Sequence, residues 1–388
     1  MKRNKIFKAA VLAVILIGML AGCTPQTTTP TAVVEQPVVT EAPVETVAPV
    51  LSLTDTLGHT VSFDKLPERV VVAGKATTLL VNTLYLFPEA ASRIVAIENR
   101  SQSPDAFIPL VDPTYTEKLV LEKNAGPEAI APSKPDVVIL KSSMKEKLGD
   151  PLEAIGIKVV YLDLETPATF YQDLQTIGAL FGNSQRADEI TAFYQGRVSQ
   201  VTEALKDLKP EDKQNILLLQ HSVEENVTSF EVPPATWLQT ILVETAGATP
   251  VWKTENVGDG WQTVTLDQIA AWNPYAIAII DYDGGAVEAV AAIKADPTWR
   301  QLEAVKEERV GAFPMDFLSW DQPDPRWILG LQWLAYATHY NQFPTFDLQS
   351  EVLGFYEALY GLDKATITET IFPLLKGTLK IDKDISAP

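Results

Sequence analysis

The sequence is poor in thiols and imidazoles. Its 388 residues include one cysteine, Cys23, and three histidines, His59, His221 and His339. A single thiol excludes an internal disulfide and a zinc site built from several cysteines. Sites that capture bare zinc or manganese use several histidines together with carboxylates, and three histidines spread along the chain do not predict such a cluster. We therefore predict neither a resident metal ion nor a cofactor.

Positive charge is also scarce. The chain has 31 Lys and Arg against 50 Asp and Glu, a net charge of −19. This excess of negative charge argues against partners such as nucleic acid or an anionic bilayer surface. The sequence also lacks a nucleophile elbow and a phosphate-cradling loop, because Gly258 and Gly260 stand outside any strand–glycine-loop–helix context. These absences argue against an enzyme.

The first 22 residues have the pattern of a secretory leader. Four basic residues precede an apolar run from Ala9 to Leu20, which is too short for a permanent membrane span. Cys23 follows Leu20-Ala21-Gly22, and this arrangement resembles the bacterial lipoprotein signal. The resemblance implies cleavage before Cys23 and lipid on its thiol and amino group. The mature protein is then expected outside the cytoplasm, anchored by lipid to the outer face of the cell membrane or held in the periplasm.

The rest of the chain divides by composition into a tether and two lobes. Residues 23–50 are rich in Pro, Thr and Val without apolar periodicity, which predicts a disordered tether. We predict an N-terminal α/β lobe over residues 51–182 and a C-terminal α/β lobe over residues 209–388. Between them, apolar residues recur every three or four positions from Ala187 to Leu208 and predict one long bridging helix over residues 183–208. A dimeric coiled coil is the alternative for this helix, but it spans fewer than four heptads, so we expect a monomer.

Continuous apolar runs predict the strands of both lobes. They occupy residues 70–73, 93–97, 136–140 and 158–162 in the first lobe, and 215–219, 276–280 and 309–313 in the second. Such runs between helical segments are typical of buried parallel strands covered on both faces. Residues 128–140 also resemble residues 267–279, as two related lobes would. The predicted fold class is α/β, with two Rossmann-like lobes that have central parallel sheets, are joined by one long helix and enclose a ligand cleft.

Ligands of open parallel sheets bind beyond the carboxyl ends of the strands, so we expect the site in the cleft between the lobes. The loops after the strands supply cations, hydroxyls and aromatic rings. The ligand-binding candidates are Lys75, Thr77, Thr78, Arg100, Lys141, Ser142, His221, Trp261, Tyr282, Trp320 and Arg326. Clustered cations would attract an anionic ligand, and flat rings suit a macrocycle or a catecholate. Trp327 and Trp333 stand at helical spacing and are predicted to be core residues.

Four motifs follow one another at characteristic spacing within residues 51–388: Leu66–Val71, Asn124–Asp136, Leu242–Ala248 and Trp320–Arg326. In these motifs the chain resembles the substrate-binding proteins of ABC importers, in particular the helical-backbone class. The resemblance implies a receptor that passes a metal chelate (a ferric siderophore, haem or a corrinoid) to a membrane permease and its ATPase. It also implies that Glu128 and Glu244, one on each lobe, dock onto permease arginines, which suits charge-assisted pairing.

Two other functions remain open on the same fold. One is a receptor for an oxyanion such as molybdate or tungstate. The other is a lipoprotein sensor or adhesin subunit without transport.

Overall fold

The first sheet consists of five parallel strands. The computed structural model of the chain describes residues 51–99, 107–225 and 227–380. Within the first lobe the strands are β1 (Leu51–Thr54), β2 (Thr60–Phe63), β3 (Val70–Val72), β4 (Ile94–Glu98), β5 (Leu119–Leu121), β6 (Val137–Lys141) and β7 (Val159–Leu162). The sheet order is β5-β4-β3-β6-β7, and β1 and β2 form a separate antiparallel hairpin. All three residues of β3 are buried, as expected for a central strand covered on both faces.

Helices of the first lobe connect these strands. They are α1 (Thr77–Leu84), α2 (Ala90–Arg93), α3 (Pro127–Ile130), α4 (Asp150–Ala154) and α5 (Pro167–Phe181). Helix α5 begins at a capping box, in which Thr166 and Thr169 satisfy each other's backbone N–H groups. It ends at Gly182, whose φ of 68° lies in the left-handed region that glycine adopts without steric cost.

The predicted bridging helix is α6 (Ser184–Ala204). The side chain of Asn183 accepts a hydrogen bond from the N–H of Arg186 and so caps the start of the helix. Its buried stripe consists of Ala187, Ile190, Tyr194 and Val201. The helix ends at Ala204, with Leu205 as its C-cap, ahead of the expected end at residue 208.

The second lobe contains a mixed sheet. Its strands are β8 (Asn215–Glu224), β9 (Val227–Val232), β10 (Thr249–Pro250), β11 (Gln262–Thr263), β12 (Ala276–Ile280) and β13 (Val310–Ala312). The order is β11-β9-β8-β12-β13, with β10 also paired to β8. Strands β10, β12 and β13 run parallel to β8 or to each other, whereas β9 and β11 are antiparallel. The predicted strands β8, β12 and β13 are thus parallel, and the end of β8 turns back into β9 as an antiparallel hairpin that the sequence did not predict.

Helices α7 to α13 belong to the described part of the second lobe. They are α7 (Leu238–Thr245), α8 (Leu266–Trp272), α9 (Ala286–Ala295), α10 (Glu303–Lys306), α11 (Trp327–Thr338), α12 (Leu348–Tyr360) and α13 (Lys364–Thr366). Helix α11 is buried on almost every side, and both Trp327 and Trp333 are core residues, as predicted. Among residues 51–99, 107–225 and 227–380, no helix has both the length and the apolar character needed to cross a bilayer.

Candidate functional site

Glu98 organises the carboxyl edge of the first sheet. This buried carboxylate, at the end of β4, accepts the N–H of Gly74 at 2.7 Å and the N–H of Asn124 at 2.8 Å. Thr77 donates its hydroxyl to the carbonyl oxygen of Glu98 at 3.2 Å. Gly74 has a φ of 82°, and a Cβ there would meet the Met144 side chain at 3.0 Å, so the tight turn after β3 requires glycine. These bonds fix the loops that follow three neighbouring strands.

Lys141 lies at the end of β6 with its charge neutralised. The ammonium group is buried and contacts both the carboxylate of Glu165 and the carbonyl oxygen of Asp163. Ser142 donates its hydroxyl to the Asp163 carboxylate at 2.8 Å. The prediction that Lys141 attracts an anionic ligand is corrected by this pairing, because its donors are directed into the protein.

The remaining first-lobe candidates differ in accessibility. Lys75 is exposed on the loop after β3, Thr78 is half-buried in the first turn of α1, and Thr77 is buried. Arg100, like Cys23 and the leader and tether, lies outside the described residues. Among the predicted first-lobe cations that lie within the described residues, Lys75 is the one that faces solvent.

Asp173 supports the loop after β7 from α5. Its carboxyl oxygen accepts the N–H groups of Asp163 at 2.7 Å and Leu164 at 2.8 Å. Burial raises the pKa of Asp173 to about 7, against the lowering effect of those two hydrogen bonds. Leu164 has a φ of 60°, so this buried carboxyl holds a backbone conformation that leucine rarely adopts.

His221 and Asp281 form a pair at the carboxyl edge of the second sheet. Nδ1 of His221 lies 2.7 Å from the carboxylate of Asp281, and the imidazole ring is 15% exposed. The other oxygen of Asp281 accepts the N–H of Asp283 at 2.8 Å, which holds the loop after β12. His221 was expected on a loop, but it lies on β8 opposite Phe230 in the hairpin. This extension places its ring beside the loop after β12.

Three half-buried rings, Trp237, Trp261 and Tyr282, lie together and are called the aromatic group below. Trp261 meets Trp237 edge-on at 5.8 Å between ring centroids and Tyr282 at 6.2 Å. Two of the three were predicted from the sequence. Trp237 was missed because it lies between α7 and β9, a strand that the apolar pattern did not reveal.

A buried polar network holds the aromatic group from behind. Tyr282 donates its hydroxyl to the carboxylate of Asp321 at 2.8 Å, and Gln239 donates to the same oxygen at 3.1 Å. Ser319 donates to the other oxygen of Asp321. Burial raises the pKa of Asp321, and burial together with the Asp321 charge raises that of Tyr282. The Tyr282 hydroxyl is thus directed into the protein, and the ring is held in one orientation.

Trp320 and Arg326 have no surface exposed to solvent. The guanidinium of Arg326 lies 2.7 Å from Asp316 and 2.8 Å from Asp324, and Trp320 donates its indole N–H to Asp316 at 3.2 Å. The expectation that Trp320 and Arg326 contact ligand is corrected by this burial, because the indole N–H of Trp320 and the Nε and Nη1 groups of Arg326 bind carboxylates within the protein. Arg326 resembled a site residue in the sequence because its acidic partners are recognisable only in the fold.

Arg326 belongs to a set of contacts between the lobes, which we call the interlobe network (Asn82, Asp316, Asp324, Arg326 and Tyr356). Asn82 of α1 donates to the Asp324 carboxylate at 2.6 Å. Tyr356 of α12 donates to Asp316 at 2.6 Å and accepts a hydrogen bond from Arg326 at 2.9 Å. All five side chains are buried, so the network joins the first helix of one lobe to the core of the other.

Arg186 of α6 adds a second connection between the lobes. It donates to the carbonyl oxygens of Ala358 at 3.1 Å and Leu359 at 2.8 Å, near the end of α12. It also donates to the carbonyl oxygen of Leu86, just beyond α1, at 3.0 Å. One guanidinium therefore satisfies carbonyl groups at the ends of two helices.

Glu128 and Glu244 are both exposed, one on each lobe. Glu128 lies in the first turn of α3, and Glu244 in α7 pairs with Lys253 at 2.6 Å. Their docking role stays a prediction. Within the part of the chain that the structure describes, His, Cys, Asp and Glu side chains form no group of three or more able to hold a metal ion.

Comparison with known proteins identifies the family. The sequence profile of the periplasmic binding protein family matches residues 70–316. The chain belongs to the periplasmic binding protein family. Proteins of this family bind ligands outside the cytoplasm and are not enzymes, so the chain is an extracytoplasmic binding protein, in agreement with the prediction from sequence.

Two curated relatives in this family are similar along much of the chain. The uncharacterized ABC transporter substrate-binding lipoprotein YvrC of Bacillus subtilis (strain 168) is 25% identical over 347 residues, which cover 88% of this chain and 99% of YvrC. The molybdate-binding protein MolA of Haemophilus influenzae is 22% identical over 254 residues, covering 60% of this chain and 69% of MolA.

Solved structures of the family share the fold. MolA bound to molybdate superposes with a TM-score of 0.66 at 20% identity, covering 80% of this chain and 98% of MolA. Helicobacter pylori CeuE with bound Ni(II) gives a TM-score of 0.64 at 17% identity, covering 83% of this chain and 99% of CeuE. These likenesses confirm the predicted two-lobe α/β fold of the periplasmic binding proteins.

Proposed function

We propose that this binding protein is the receptor of an ABC importer and that it captures a metal chelate with an aromatic or macrocyclic ligand, such as a ferric siderophore, haem or a corrinoid. The observation that carries the proposal is the aromatic group, which lies close to the carboxyl edge of the second sheet. YvrC, which matches 88% of the chain, is described as an ABC transporter substrate-binding lipoprotein. Delivery to a permease and its ATPase follows from that likeness.

The balance of rings and charges favours a chelate over a bare anion. Lys141 is neutralised by Glu165, and Arg326 is enclosed by Asp316 and Asp324. Two of the cations expected to attract an anionic ligand are thus already paired with acidic side chains of the protein. The rings of the aromatic group instead offer flat apolar faces, which gain free energy by covering a planar or macrocyclic ligand.

His221 is the residue that we assign to the metal of the chelate. Histidines that bind metals generally hold their second ring nitrogen against a carboxylate, which fixes the tautomer and the ring orientation. Asp281 holds Nδ1 of His221 in this way at 2.7 Å. With the Nδ1 proton donated to Asp281, Nε2 carries the free lone pair. The metal itself arrives with the cargo, in accord with the lack of a metal-holding cluster among the described residues.

An oxyanion receptor is the second candidate function. It is favoured by the similarity to MolA, which is named for molybdate and was solved with molybdate bound. In this chain exposed Lys75 and half-buried Thr78 would serve such a ligand from the first lobe.

The proposed setting is the outer face of the membrane. Cys23 would carry the lipid, residues 23–50 would form the tether, and a monomeric receptor would meet its permease through Glu128 and Glu244. The exposure of both glutamates, one on each lobe, supports this arrangement.

Tryptophan fluorescence titration of the purified protein tests the ligand class. The panel contains a ferric catecholate siderophore, haemin, cobalamin, molybdate and tungstate. We expect one chelate to bind with a Kd below about 1 μM, and Trp261→Ala to weaken it about tenfold or more. Trp272→Ala is the matched control, because half-buried Trp272 ends α8 at the amino edge of the second sheet. Binding of molybdate or tungstate without binding of any chelate would overturn the proposal in favour of the second candidate.

A spectroscopic experiment tests the role of His221. Ligation of iron by an imidazole changes the absorption of a bound ferric chelate. The His221→Ala variant should therefore bind with a shifted spectrum, and added imidazole should restore the original one. An unchanged spectrum would remove His221 from the metal while leaving the aromatic group in place.

A further inference from the structure

Residues 376–378, close to the end of the described chain, extend the second sheet alongside β13. Lys376 and Met315 exchange both backbone hydrogen bonds, at 2.9 and 3.1 Å. Thr378 donates its N–H to the carbonyl oxygen of Ala312 at 2.9 Å, and its hydroxyl accepts the N–H of Ala312 at 2.9 Å. Because the segment runs antiparallel to β13 and Met315 follows the last residue of that strand, Lys376 lies at the carboxyl edge of the sheet.

The side chain of Lys376 lies over the loop that follows β12. A Cβ atom at Gly284 would lie 3.1 Å from Nζ of Lys376 and 3.7 Å from Sδ of Met315. Gly284 has a φ of 86°, and its N–H donates to the carbonyl oxygen of Asp281 at 3.2 Å, which closes the turn. Glycine at this position therefore leaves room for the ammonium group against the turn.

The same turn supports the two features that we assign to cargo binding in the second lobe. The carboxylate of Asp281 holds Nδ1 of His221, and the ring of Tyr282 belongs to the aromatic group. The ammonium group over Gly284 therefore lies on the segment that positions both the imidazole and this ring. The sequence did not indicate this position, because Lys376 follows none of the predicted strands.

The charge of Lys376 is accessible and is not neutralised by a neighbouring side chain. Lys376 is exposed, and it forms no ion pair or side-chain hydrogen bond with the described residues. Lys141 and Arg326, by contrast, are buried and paired with carboxylates. Lys75, on the loop after β3, is likewise exposed and without an ion pair to any described residue. In a chain with a net charge of −19, free cations at the carboxyl edges of both sheets favour an anionic ligand there.

We propose that Lys376 contacts the cargo and selects metal chelates that carry a net negative charge. The inference rests on the proposed function, a receptor for a metal chelate, and specifies the charge of that chelate. The ammonium group donates hydrogen bonds to carboxylate or phenolate oxygens at the rim of the chelate, while the aromatic group covers its flat face. Lys75 donates to oxygens of the same kind from the first lobe. An uncharged chelate offers weaker acceptors to both cations and binds less tightly.

Fluorescence titrations of the full-length protein with chelates of different charge test this role. The negatively charged probes are a ferric tris-catecholate and haemin, and the uncharged probes are a ferric tris-hydroxamate and cyanocobalamin. One of the negatively charged probes should bind about tenfold or more tightly than both uncharged probes. Lys376→Met, which keeps an apolar stem and removes the charge, should weaken this binding about tenfold or more, since a charge-assisted hydrogen bond is lost. The binding that remains should depend less on salt concentration than binding by the native protein.

Two further variants serve as controls. Lys380→Met removes an exposed positive charge from the same part of the chain and should leave binding unchanged. Lys376→Arg keeps the charge and should retain most of the affinity for the negatively charged chelate. All three variants should have the Tm of the native protein, because both lysines are exposed.

The outcomes separate this inference from the function on which it rests. Tightest binding of an uncharged chelate would overturn the role of Lys376 and leave the chelate receptor in place. Equal affinity of Lys376→Met and the native protein, or an equal loss in Lys380→Met, would do the same. Failure of every chelate to bind would overturn the proposed function together with this inference.

Discussion

Removal of the Arg326 guanidinium tests whether the interlobe network holds the fold together. Arg326→Met keeps much of the apolar volume of the side chain but leaves the carboxylates of Asp316 and Asp324 buried without a counter-charge. Both carboxylates have 0% exposed side-chain surface in the native protein. Breaking a buried ion pair in this way generally costs about 3 to 5 kcal/mol.

The remaining contacts place the expected cost near the lower end of that range. Asp316 keeps donors from Tyr356 at 2.6 Å and Trp320 at 3.2 Å. Asp324 keeps the amide of Asn82 at 2.6 Å. Both carboxylates therefore stay hydrogen-bonded, and the loss is mainly that of the positive charge. We expect the free energy of unfolding to fall by about 3 kcal/mol.

Urea unfolding followed by tryptophan fluorescence measures this change. With a slope of roughly 3 kcal/mol per molar, the midpoint should fall by about 1 M while the slope stays constant. Adding Asp316→Asn and Asp324→Asn to Arg326→Met should recover most of the loss, because the uncompensated charges disappear. A loss below about 1 kcal/mol, or no recovery in the triple variant, would refute the reasoning.

Three other predictions follow from the same structure. Asp173→Asn should flatten the pH dependence of stability: the folded protein holds the Asp173 proton up to a pKa of about 7 while the unfolded chain loses it near 3.8, so this group's contribution falls as pH rises between those values. Thermal unfolding at pH 5 and pH 8 should show that Asp173→Asn raises the Tm relative to the native protein mainly at pH 8. The same difference in Tm at both pH values would contradict the assignment. Reversing Glu128 and Glu244 to Lys should leave ligand affinity unchanged and impair uptake by cells, with only a small stability cost from the exposed Lys253 pair; normal uptake by the double variant would remove their docking role. Cys23→Ala should abolish incorporation of labelled fatty acid and release the protein from membranes, whereas retention in the membrane fraction would point to another anchor.

The strands predicted from the sequence were those whose whole surface is apolar. All seven continuous apolar runs became strands or parts of strands, because a strand covered on both faces has no polar side to interrupt the run. The hairpin formed by the end of β8 and β9 was missed. Its residues alternate with polar and charged side chains such as Glu224 and Glu231, and its partner strand β11 has only two residues.

The sequence predicted the residue types at the site better than it predicted which of those side chains are exposed to solvent. Trp261 and Tyr282 meet in the aromatic group, and His221 lies at the expected edge of its sheet. Lys141 and Arg326 lie where the sequence predicted cations, but acidic side chains within the protein already pair with both of them. Each of these charges pairs with an acidic residue, Glu165 for Lys141 and Asp316 for Arg326. Composition and periodicity do not show which side chains will be neighbours in the folded protein, so these pairs could not be predicted.

The double attachment of Arg186 affects how the receptor is recognised by a transporter. By linking the ends of α1 and α12, this residue resists any large swing of one lobe against the other. An empty and a loaded receptor then present nearly the same outline to a permease. Empty receptors would compete with loaded ones for the same docking surface. Productive uptake would then depend on the relative abundance of cargo and receptor. It would also depend on recognition of the occupied cleft by the permease, rather than of the overall shape of the receptor.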